Sequence, residues 1–437
     1  MHTATQLAHS VQIGLGVFYL FVALMNVGFA LYQCYAANNR RQGIVWSLVA
    51  GVFLVHSLAY FAGANWIISA GFRDFTTQVM GYYGGQLGPI LYTTVSIILF
   101  VLFLRYRKFF TEPVVAWSIL NLGLLAAGWS LTDDNFRKII TKEDNVPIVM
   151  LIFSVGFFTW LPFRRAVLND ERMANGEPPM EKEEEEKVLV WPDLVYTEMI
   201  AMIVCTFVLV IWSVLLKAPL EQPATTAKAP NPSKAPWYFL GLQEMLVYYD
   251  PWMAGVVLPT MIIIGLIAIP YIDFNQKGNG YYTFVERKFA ITTFLFGFIV
   301  LWCTLIVLGT FLRGPNWNFF GPFEYWDPHK VLPLNNVNLS DYFWLPLGVT
   351  FPEGQGIGGI LVREAPGIIL VLLYFAALPP LLAKTIMRPF FIKMGFVRFF
   401  LLINLFQFMA ALPIKMVLRW AFNLKYIIYI PEYFFNI

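Results

Sequence analysis

Residues 195–216 read VYTEMIAMIVCTFVLVIWSVLL, and Glu198 is the one charged side chain in this run. A helix of about 20 apolar residues crosses a bilayer core about 30 Å thick, so the run predicts a membrane-spanning helix. Similar runs on both sides bring the prediction to ten spans. They lie at about 11–35, 44–68, 88–105, 114–132, 146–163, 195–216, 253–272, 289–312, 364–384 and 395–413. The predicted fold is all-α: a polytopic transmembrane bundle of about ten spanning helices with additional surface and interface helices.

The composition supports a membrane protein and argues against other classes. The chain has 437 residues, of which 58% are hydrophobic and 13% charged, whereas soluble domains carry about 25% charged residues. Its 41 Phe, 21 Tyr and 14 Trp suit lipid-facing helices with aromatic belts at the two interfaces. A net charge of +3 argues against a nucleic-acid partner, which needs clustered basic residues. The lipid bilayer is therefore the first expected partner.

Basic residues occur in alternate loops and predict the orientation. Such loops face the cytoplasm, which places the N-terminus and residues 217–252 outside. The predicted location is the cytoplasmic membrane of a bacterium. The basic residues are Arg40 and Arg41 after the first span, Arg105, Arg107 and Lys108 after the third, and Arg164 and Arg165 after the fifth.

The C-terminal segment 415–437 breaks this charge pattern. It mixes Lys415, Arg419 and Lys425 with aromatic residues, which is typical of a helix lying in the membrane interface. We therefore predict an amphipathic interface helix here.

An acidic segment divides the chain. Residues 181–187 read EKEEEEK, and a charge block of this kind is usually a solvated linker. The predicted domains are a five-helix membrane domain at 1–168 with a scaffold or docking role, an acidic cytoplasmic linker at 169–190, a domain at 191–313, and an outer loop with C-terminal helices at 314–437. The glycine-rich segment 81–86 is predicted to be a tight loop, or else to line a site.

The most informative segment is the run APNPSKAPWYFLGLQEML at 229–246, between the sixth and seventh spans. An extended proline-rich chain that leads into Trp-Tyr-Phe and a short amphipathic helix suits a segment folded back on the membrane surface. Bulky aromatic residues there would wall an apolar slot. Trp191-Pro192-Asp193 opens the span before this segment, and Gly255 to Pro259 opens the span after it.

This arrangement resembles the C-terminal region of cytochrome b, or the separate subunit IV of its photosynthetic counterpart. In that family a Pro-Glu-Trp-Tyr motif begins the surface helix at the site where quinol is oxidised. Here the matching residues are Ala235-Pro236-Trp237-Tyr238, so proline stands where the family has glutamate. The resemblance covers about residues 191–437 and is strongest from Trp191 to Arg313. It implies a quinol-binding surface made by Pro236, Trp237, Tyr238 and Phe239.

Two carboxylates are candidates to replace the missing glutamate as proton acceptor. Glu244 follows Trp237 by two helical turns and so lies on the same face, and a carboxylic acid in an apolar pocket suits proton uptake near neutral pH. Asp250 lies near the end of the same helix. The alternatives are that Glu244 faces water and that Asp250 only begins a turn. Tyr238 is expected to hydrogen-bond the quinol head group or to anchor the helix at the interface.

The chain is not expected to bind haem or a metal. A bis-histidine b-type haem needs paired imidazoles on facing helices, and the four histidines are His2, His9, His56 and His329. Cys34, Cys205 and Cys303 show no metal-ligand spacing and are predicted to be buried free thiols.

The resemblance therefore implies a membrane subunit of a cytochrome bc-type quinol:acceptor oxidoreductase and translocase, inactive alone. Its substrate would be quinol. Its expected partners are a cytochrome b subunit carrying haem b, a Rieske-type iron–sulfur protein and a c-type cytochrome. The alternatives are a structural subunit with an inactive quinol site and a secondary transporter. A transporter would usually show repeated halves, and the sequence shows no internal repeat.

Overall fold

The computed structural model describes residues 6–81, 87–183, 186–216, 218, 220, 223–278, 280–332, 335–349 and 356–437. Ten helices in this part of the chain are long and apolar enough to cross a membrane. This confirms the predicted fold class, and the chain is an integral membrane protein. Residues 82–86 of the loop predicted at 81–86, and residues 184–185 at the centre of the acidic run, lie outside the described residues. The spans are His9–Ala36, Arg40–Phe61, Leu87–Arg105, Pro113–Ser130, Val146–Ala174, Val190–Leu215, Met253–Ile272, Val285–Leu312, Ala365–Lys384 and Arg388–Phe422.

Shorter elements connect these spans. Within the described residues, two antiparallel strands follow the tenth span: β1 (Tyr429–Ile430) pairs with β2 (Phe435–Asn436). The shorter helices and helical turns are Ala70–Gly81, Arg107–Phe110, Asp134–Ile140, Met180–Glu183, Trp237–Met245, Pro315–Trp317, Leu339–Trp344, Ile357–Arg363 and Pro431–Tyr433.

The predicted interface helix over 415–437 is wrong. The tenth span continues through this charged region to Phe422 and ends at Asn423, whose φ of 55° is left-handed, as is common just after a helix. Lys415 and Arg419 are buried. Lys415 Nζ donates to the carbonyl of Lys425 at 2.7 Å, and Arg419 Nη1 donates to that of Asn423 at 3.1 Å. The cations therefore bind the turn after the helix instead of forming a water-facing stripe.

Contacts divide the chain into two compact units. The first unit comprises Met1–Gln78, Phe103–Ala224 and Gly321–Trp326. Its core joins the first two spans through Tyr19, Phe53 and Tyr60. A polar network also holds the first span to the fourth: Asn26 Nδ2 donates to Asn121 Oδ1 at 2.6 Å, and Trp117 Nε1 donates to Asn26 Oδ1 at 3.0 Å. Such bonds stabilise helix pairs because lipid offers no alternative partner.

The second unit comprises Val79–Leu102, Thr225–Phe320 and Asp327–Ile437. One of its cores is made by the seventh, ninth and tenth spans, around Ile272, Phe399 and Ile403. The C-terminal tail also packs closely against the ninth span. A Cβ on Gly367 would lie 2.0 Å from the carbonyl oxygen of Ile427, so only glycine fits there.

The sixth span has no buried residue along Val190–Leu215. Cys205 lies on this helix and is exposed, while Cys34 and Cys303 are half-buried, and all three are free. The prediction of free thiols is confirmed for these described cysteines. Burial is only partial for Cys34 and Cys303 and is wrong for Cys205, because no residue of its helix is buried.

Candidate functional site

A short helix and the proline-rich chain before it form one unit of structure. The helix Trp237–Met245 begins directly after Pro236, which confirms the helix predicted between the sixth and seventh spans. Gln243 folds the preceding chain onto it, since its Oε1 accepts from the N–H of Ala235 at 2.8 Å and its Nε2 donates to the carbonyl of Ser233 at 2.8 Å. We call Trp237–Met245 the surface helix.

The surface helix packs against the eighth span, and the two helices come very close at two glycines. A Cβ on Gly309 would lie 2.7 Å from Leu240 Cδ2, and a Cβ on Gly241 would lie 3.2 Å from the indole of Trp302. The glycines let the two helices approach closely, as small residues commonly do in membranes. Lys234 adds a further tie, since its Nζ donates to the carbonyl of Thr310 at 2.8 Å.

The first turn of the surface helix exposes three consecutive aromatic residues. Trp237, Tyr238 and Phe239 are 40%, 52% and 53% exposed. Their rings contact one another, with centroids 5.8 Å apart for Trp237 and Tyr238 and 4.8 Å for Tyr238 and Phe239. Together with the exposed Pro236 they form what we call the aromatic edge. These are the four residues predicted to contact quinol.

Glu244 is fully buried and accepts hydrogen bonds from three side chains. Arg313 approaches it side-on, with Nη2 2.8 Å from Oε1 and Nε 3.0 Å from Oε2. The Tyr248 hydroxyl donates to Oε1 at 2.9 Å, and Trp317 Nε1 donates to Oε2 at 3.1 Å. The alternative that Glu244 faces water is therefore wrong. Trp237 lies on the same face of the helix as Leu240 and Glu244, but it is 40% exposed because it stands in the first turn of the helix.

The charges in this cluster stabilise one another. Burial disfavours the charged guanidinium of Arg313, but Glu244 outweighs it and raises the pKa of Arg313 above its ordinary value. Burial first, and then the nearby Glu244 carboxylate, raise the pKa of Tyr248 well above its ordinary value. At neutral pH Arg313 is a cation, and Tyr248 is a neutral donor.

The loop after the eighth span brings Arg313 and Trp317 to Glu244. The backbone of Arg313 bridges that of Phe319, and Asn316 and Trp317 both adopt left-handed φ values, of 57° and 56°. Asn231 of the proline-rich chain stabilises this turn, since its Oδ1 accepts from the N–H of Asn316 at 2.7 Å. Sequence reasoning missed Arg313, Trp317 and Tyr248. One signal in the sequence could have identified Arg313: it is a cation directly after the apolar run 289–312, a position where residues often anchor a span at the membrane interface.

The second predicted carboxylate, Asp250, lies in a different environment. It is half-buried, and its Oδ1 accepts from the Tyr426 hydroxyl at 3.0 Å. Lys425 Nζ lies close by and donates to the carbonyls of Leu246 and Val247 at 2.9 and 3.1 Å. The C-terminal tail thus holds the end of the surface helix. Burial and then Arg419 lower the pKa of Lys425 to about 8, against an opposing effect of Asp250.

His56 does not belong to this site. It lies half-buried in the second span, in the first unit, with Nδ1 2.8 Å from the carbonyl oxygen of Val52. Among the described residues, no three His, Cys, Asp or Glu side chains lie together as a metal would need.

Comparison with known proteins bears directly on this segment. The family model described as Cytochrome b(C-terminal)/b6/petD matches residues 223–319. This range contains the proline-rich chain, the surface helix, the seventh and eighth spans and the Arg313 loop, and the match confirms the predicted resemblance there. The match covers less than a quarter of the chain, so residues 191–222 and 320–437 lie outside it. No curated protein and no solved structure matched the chain. A segment of this family in a ten-span protein indicates a redox subunit of a cytochrome bc-type complex.

Proposed function

We propose that the chain is a subunit of a quinol:acceptor oxidoreductase and that the aromatic edge forms one wall of its quinol-oxidation site. The observation that carries the proposal is the aromatic edge itself, exposed at the start of a surface helix inside the family-matched segment. Most ligand pockets are lined by apolar and aromatic side chains with a few polar groups. The rings of Trp237 and Phe239 offer apolar surface, and the Tyr238 hydroxyl offers a hydrogen bond to a quinol oxygen.

The missing wall would come from a partner, because the aromatic edge is an exposed surface rather than a closed pocket. In this proposal residues 191–313 form the quinol-site domain. A cytochrome b subunit carrying haem b lies opposite, and a Rieske-type iron–sulfur protein and a c-type cytochrome accept electrons. Protons are released on the non-cytoplasmic side of the membrane.

Glu244 has a defined place in this proposal. Arg313 supplies the counter-charge of the buried carboxylate, and Tyr248 and Trp317 supply neutral hydrogen bonds to it. Trp317 is the neutral donor supplied by the turn after the eighth span. Moving its indole away would leave Oε2 bound to Arg313 Nε alone and open one acceptor position for a quinol proton. Protonation would neutralise the carboxylate, so its ion pair with Arg313 would be restored only when the proton leaves. Asp250, which is half-buried, is the second candidate acceptor.

The proposal is tested by quinol turnover in the assembled complex. Replacing Trp237 or Phe239 with Leu should lower kcat/KM about tenfold, equivalent to about 1.4 kcal/mol. The matched control is Tyr271→Leu, since Tyr271 is a 73% exposed aromatic residue at the end of the seventh span. Unchanged turnover in both aromatic-edge variants, at equal haem content, would refute a quinol site here. Labelling of a Trp237→Cys variant from the cytoplasmic side would also refute it.

A structural subunit with an inactive quinol site is the second candidate. Two observations favour it: Pro236 stands at the family's glutamate position, and the oxygens of Glu244 are engaged by protein donors. Glu244→Gln and Asp250→Asn separate the two candidates. Activity is compared per folded, haem-containing complex, because loss of the buried charge also destabilises the unit. If Glu244 accepts a proton, Glu244→Gln alters the pH profile of kcat, whereas Asp250→Asn does not. Full activity in both variants would favour the structural role.

A further inference from the structure

The first unit contains an aromatic cavity of about 1130 Å³ that the proposed quinol chemistry does not use. It lies between the first, fourth and fifth spans, with Phe103 and the short helix Arg107–Phe110 at one end. Its volume exceeds the range of about 300–1,000 Å³ typical of small-molecule pockets. Residues lining it include Phe21, Phe29, Trp117, Gly123, Phe157 and Trp160.

Apart from the hydroxyl of Tyr32 at one end of the cavity, the polar groups in its wall are directed at the protein rather than at a ligand. Trp117 Nε1 donates to Asn26, and Trp160 Nε1 donates to the carbonyl of Thr111 at 3.0 Å. The Ser154 hydroxyl donates to the carbonyl of Met150 at 3.0 Å. A quinone head group needs donors to its two oxygens, whereas hydrocarbon chains need none. The wall therefore favours hydrocarbon chains.

One end of the aromatic cavity is strongly basic. Tyr32, Phe110 and Trp160 mark this end, because Trp160 bonds to the residue after Phe110. Cations lie two to five residues from Phe110 and Trp160, and eight and nine residues after Tyr32. They are Arg40, Arg41, Arg105, Arg107, Lys108, Arg164 and Arg165.

Several of these cations have no acidic partner. Lys108 pairs with Glu171 at 2.8 Å, and Arg165 lies 3.9 Å from Glu181. In the part of the chain that the structure describes, no carboxylate lies within 4.0 Å of the nitrogens of Arg40, Arg41, Arg105 or Arg164. The acids that lie nearest in sequence to Arg105 and Arg164 are Glu112, Asp170 and Glu171, fewer than the seven cations. This end therefore retains an excess of positive charge.

We propose that the aromatic cavity binds one anionic phospholipid, with its acyl chains among the aromatic rings and its phosphate at the basic end. Basic pockets between membrane helices bind anionic lipid head groups in this way. The charge selects the head group, and the apolar wall holds the chains. The inference concerns the first unit alone and does not depend on the proposed function.

Two glycines in the wall provide the test. Nothing lies within 4 Å of a Cβ built on Gly123 or on Gly156, and both are helical, so leucine fits at either position and fills the aromatic cavity. Gly14→Leu is the matched control, since Gly14 is a helical, exposed glycine of the same unit with the same open space. The complex is purified in mild detergent, and retained lipid is identified by native mass spectrometry. It is then delipidated and titrated with phosphatidylglycerol and with phosphatidylcholine.

We expect wild type and Gly14→Leu to retain a phospholipid and to prefer phosphatidylglycerol. Gly123→Leu and Gly156→Leu should weaken its binding by about tenfold, the effect of displacing two buried methylene groups. Arg105→Gln combined with Arg164→Gln leaves the wall intact, so it should abolish the preference for phosphatidylglycerol over phosphatidylcholine while lipid is still retained. Equal retention in both leucine variants, an unchanged preference in the arginine variant, or a retained isoprenoid quinone in place of phospholipid would overturn the proposal.

Discussion

Replacing Glu244 with Gln should destabilise the second unit strongly, although the side chain keeps its shape. Glu244 is fully buried, and the Arg313 side chain is 9% exposed. The amide removes the negative charge and leaves the guanidinium without a counter-charge in a dry environment. Removing one partner of a buried ion pair costs about 3–5 kcal/mol. We expect the free energy of unfolding to fall by that amount.

A double variant separates the ion pair from simple loss of packing. Glu244→Gln combined with Arg313→Gln leaves no unpaired charge. Its loss should therefore be smaller than the sum of the two single losses, by up to about 3 kcal/mol. The free energy of unfolding is measured by denaturant titration in mixed micelles, with the change in tryptophan fluorescence as the signal.

Asp250→Asn is the control for a carboxylate near the same helix. Asp250 is half-buried and accepts one side-chain hydrogen bond, from Tyr426, so its replacement should cost about 1 kcal/mol. If Glu244→Gln were no more destabilising than Asp250→Asn, or if the losses in the double variant added fully, the ion pair would not stabilise this site and the reasoning would be refuted.

Three further predictions concern the same unit. Tyr248→Phe removes a hydrogen bond to a carboxylate and should lower the free energy of unfolding by about 1.5–3 kcal/mol. Tyr249→Phe is the control and should be neutral or stabilising, because it removes a buried hydroxyl that has no hydrogen-bond partner among the described residues. A larger loss in Tyr249→Phe than in Tyr248→Phe would contradict the geometry. Gly367→Ala should displace the C-terminal tail and speed hydrogen exchange there, while Gly358→Ala, where a Cβ meets nothing within 4 Å, should leave it unchanged. The folded state lowers the pKa of Lys425 to about 8, so above that pH the unfolded chain binds more protons than the folded chain. Stability should therefore rise from about pH 8 towards the ordinary lysine pKa of about 10.4. Lys425→Met should remove this rise, and an unchanged slope in that variant would show that Lys425 does not cause it.

The ten spans could be predicted because the length of an apolar run is a local property of the sequence. The helix at Trp237–Met245 was also predictable from local sequence, because prolines keep the preceding chain extended and the helix can begin only after the last of them, Pro236. The C-terminal segment was mispredicted because charge spacing does not reveal the partner of a cation. Lys415 and Arg419 satisfy their donors on main-chain carbonyls of the following turn, which the sequence does not mark.

The centre of the site was only partly predictable. Glu244 was predicted as a candidate proton acceptor on the face of Trp237, with a water-facing position as the alternative, and the groups that bind it were not predicted. Arg313 reaches it only because the eighth span and the left-handed turn at Asn316 and Trp317 fold back. That contact depends on tertiary packing, and no local pattern encodes it.

The separation of Glu244 from Arg313 along the chain also sets an order for biosynthesis. The carboxylate precedes its counter-charge by 69 residues, which a ribosome working at about 5–20 residues per second needs roughly 3–14 s to add. Until Arg313 has been made, Glu244 lacks the cation that offsets its burial in the native structure. We therefore expect the helix that carries Glu244 to dock stably only after the eighth span and Arg313 have been made.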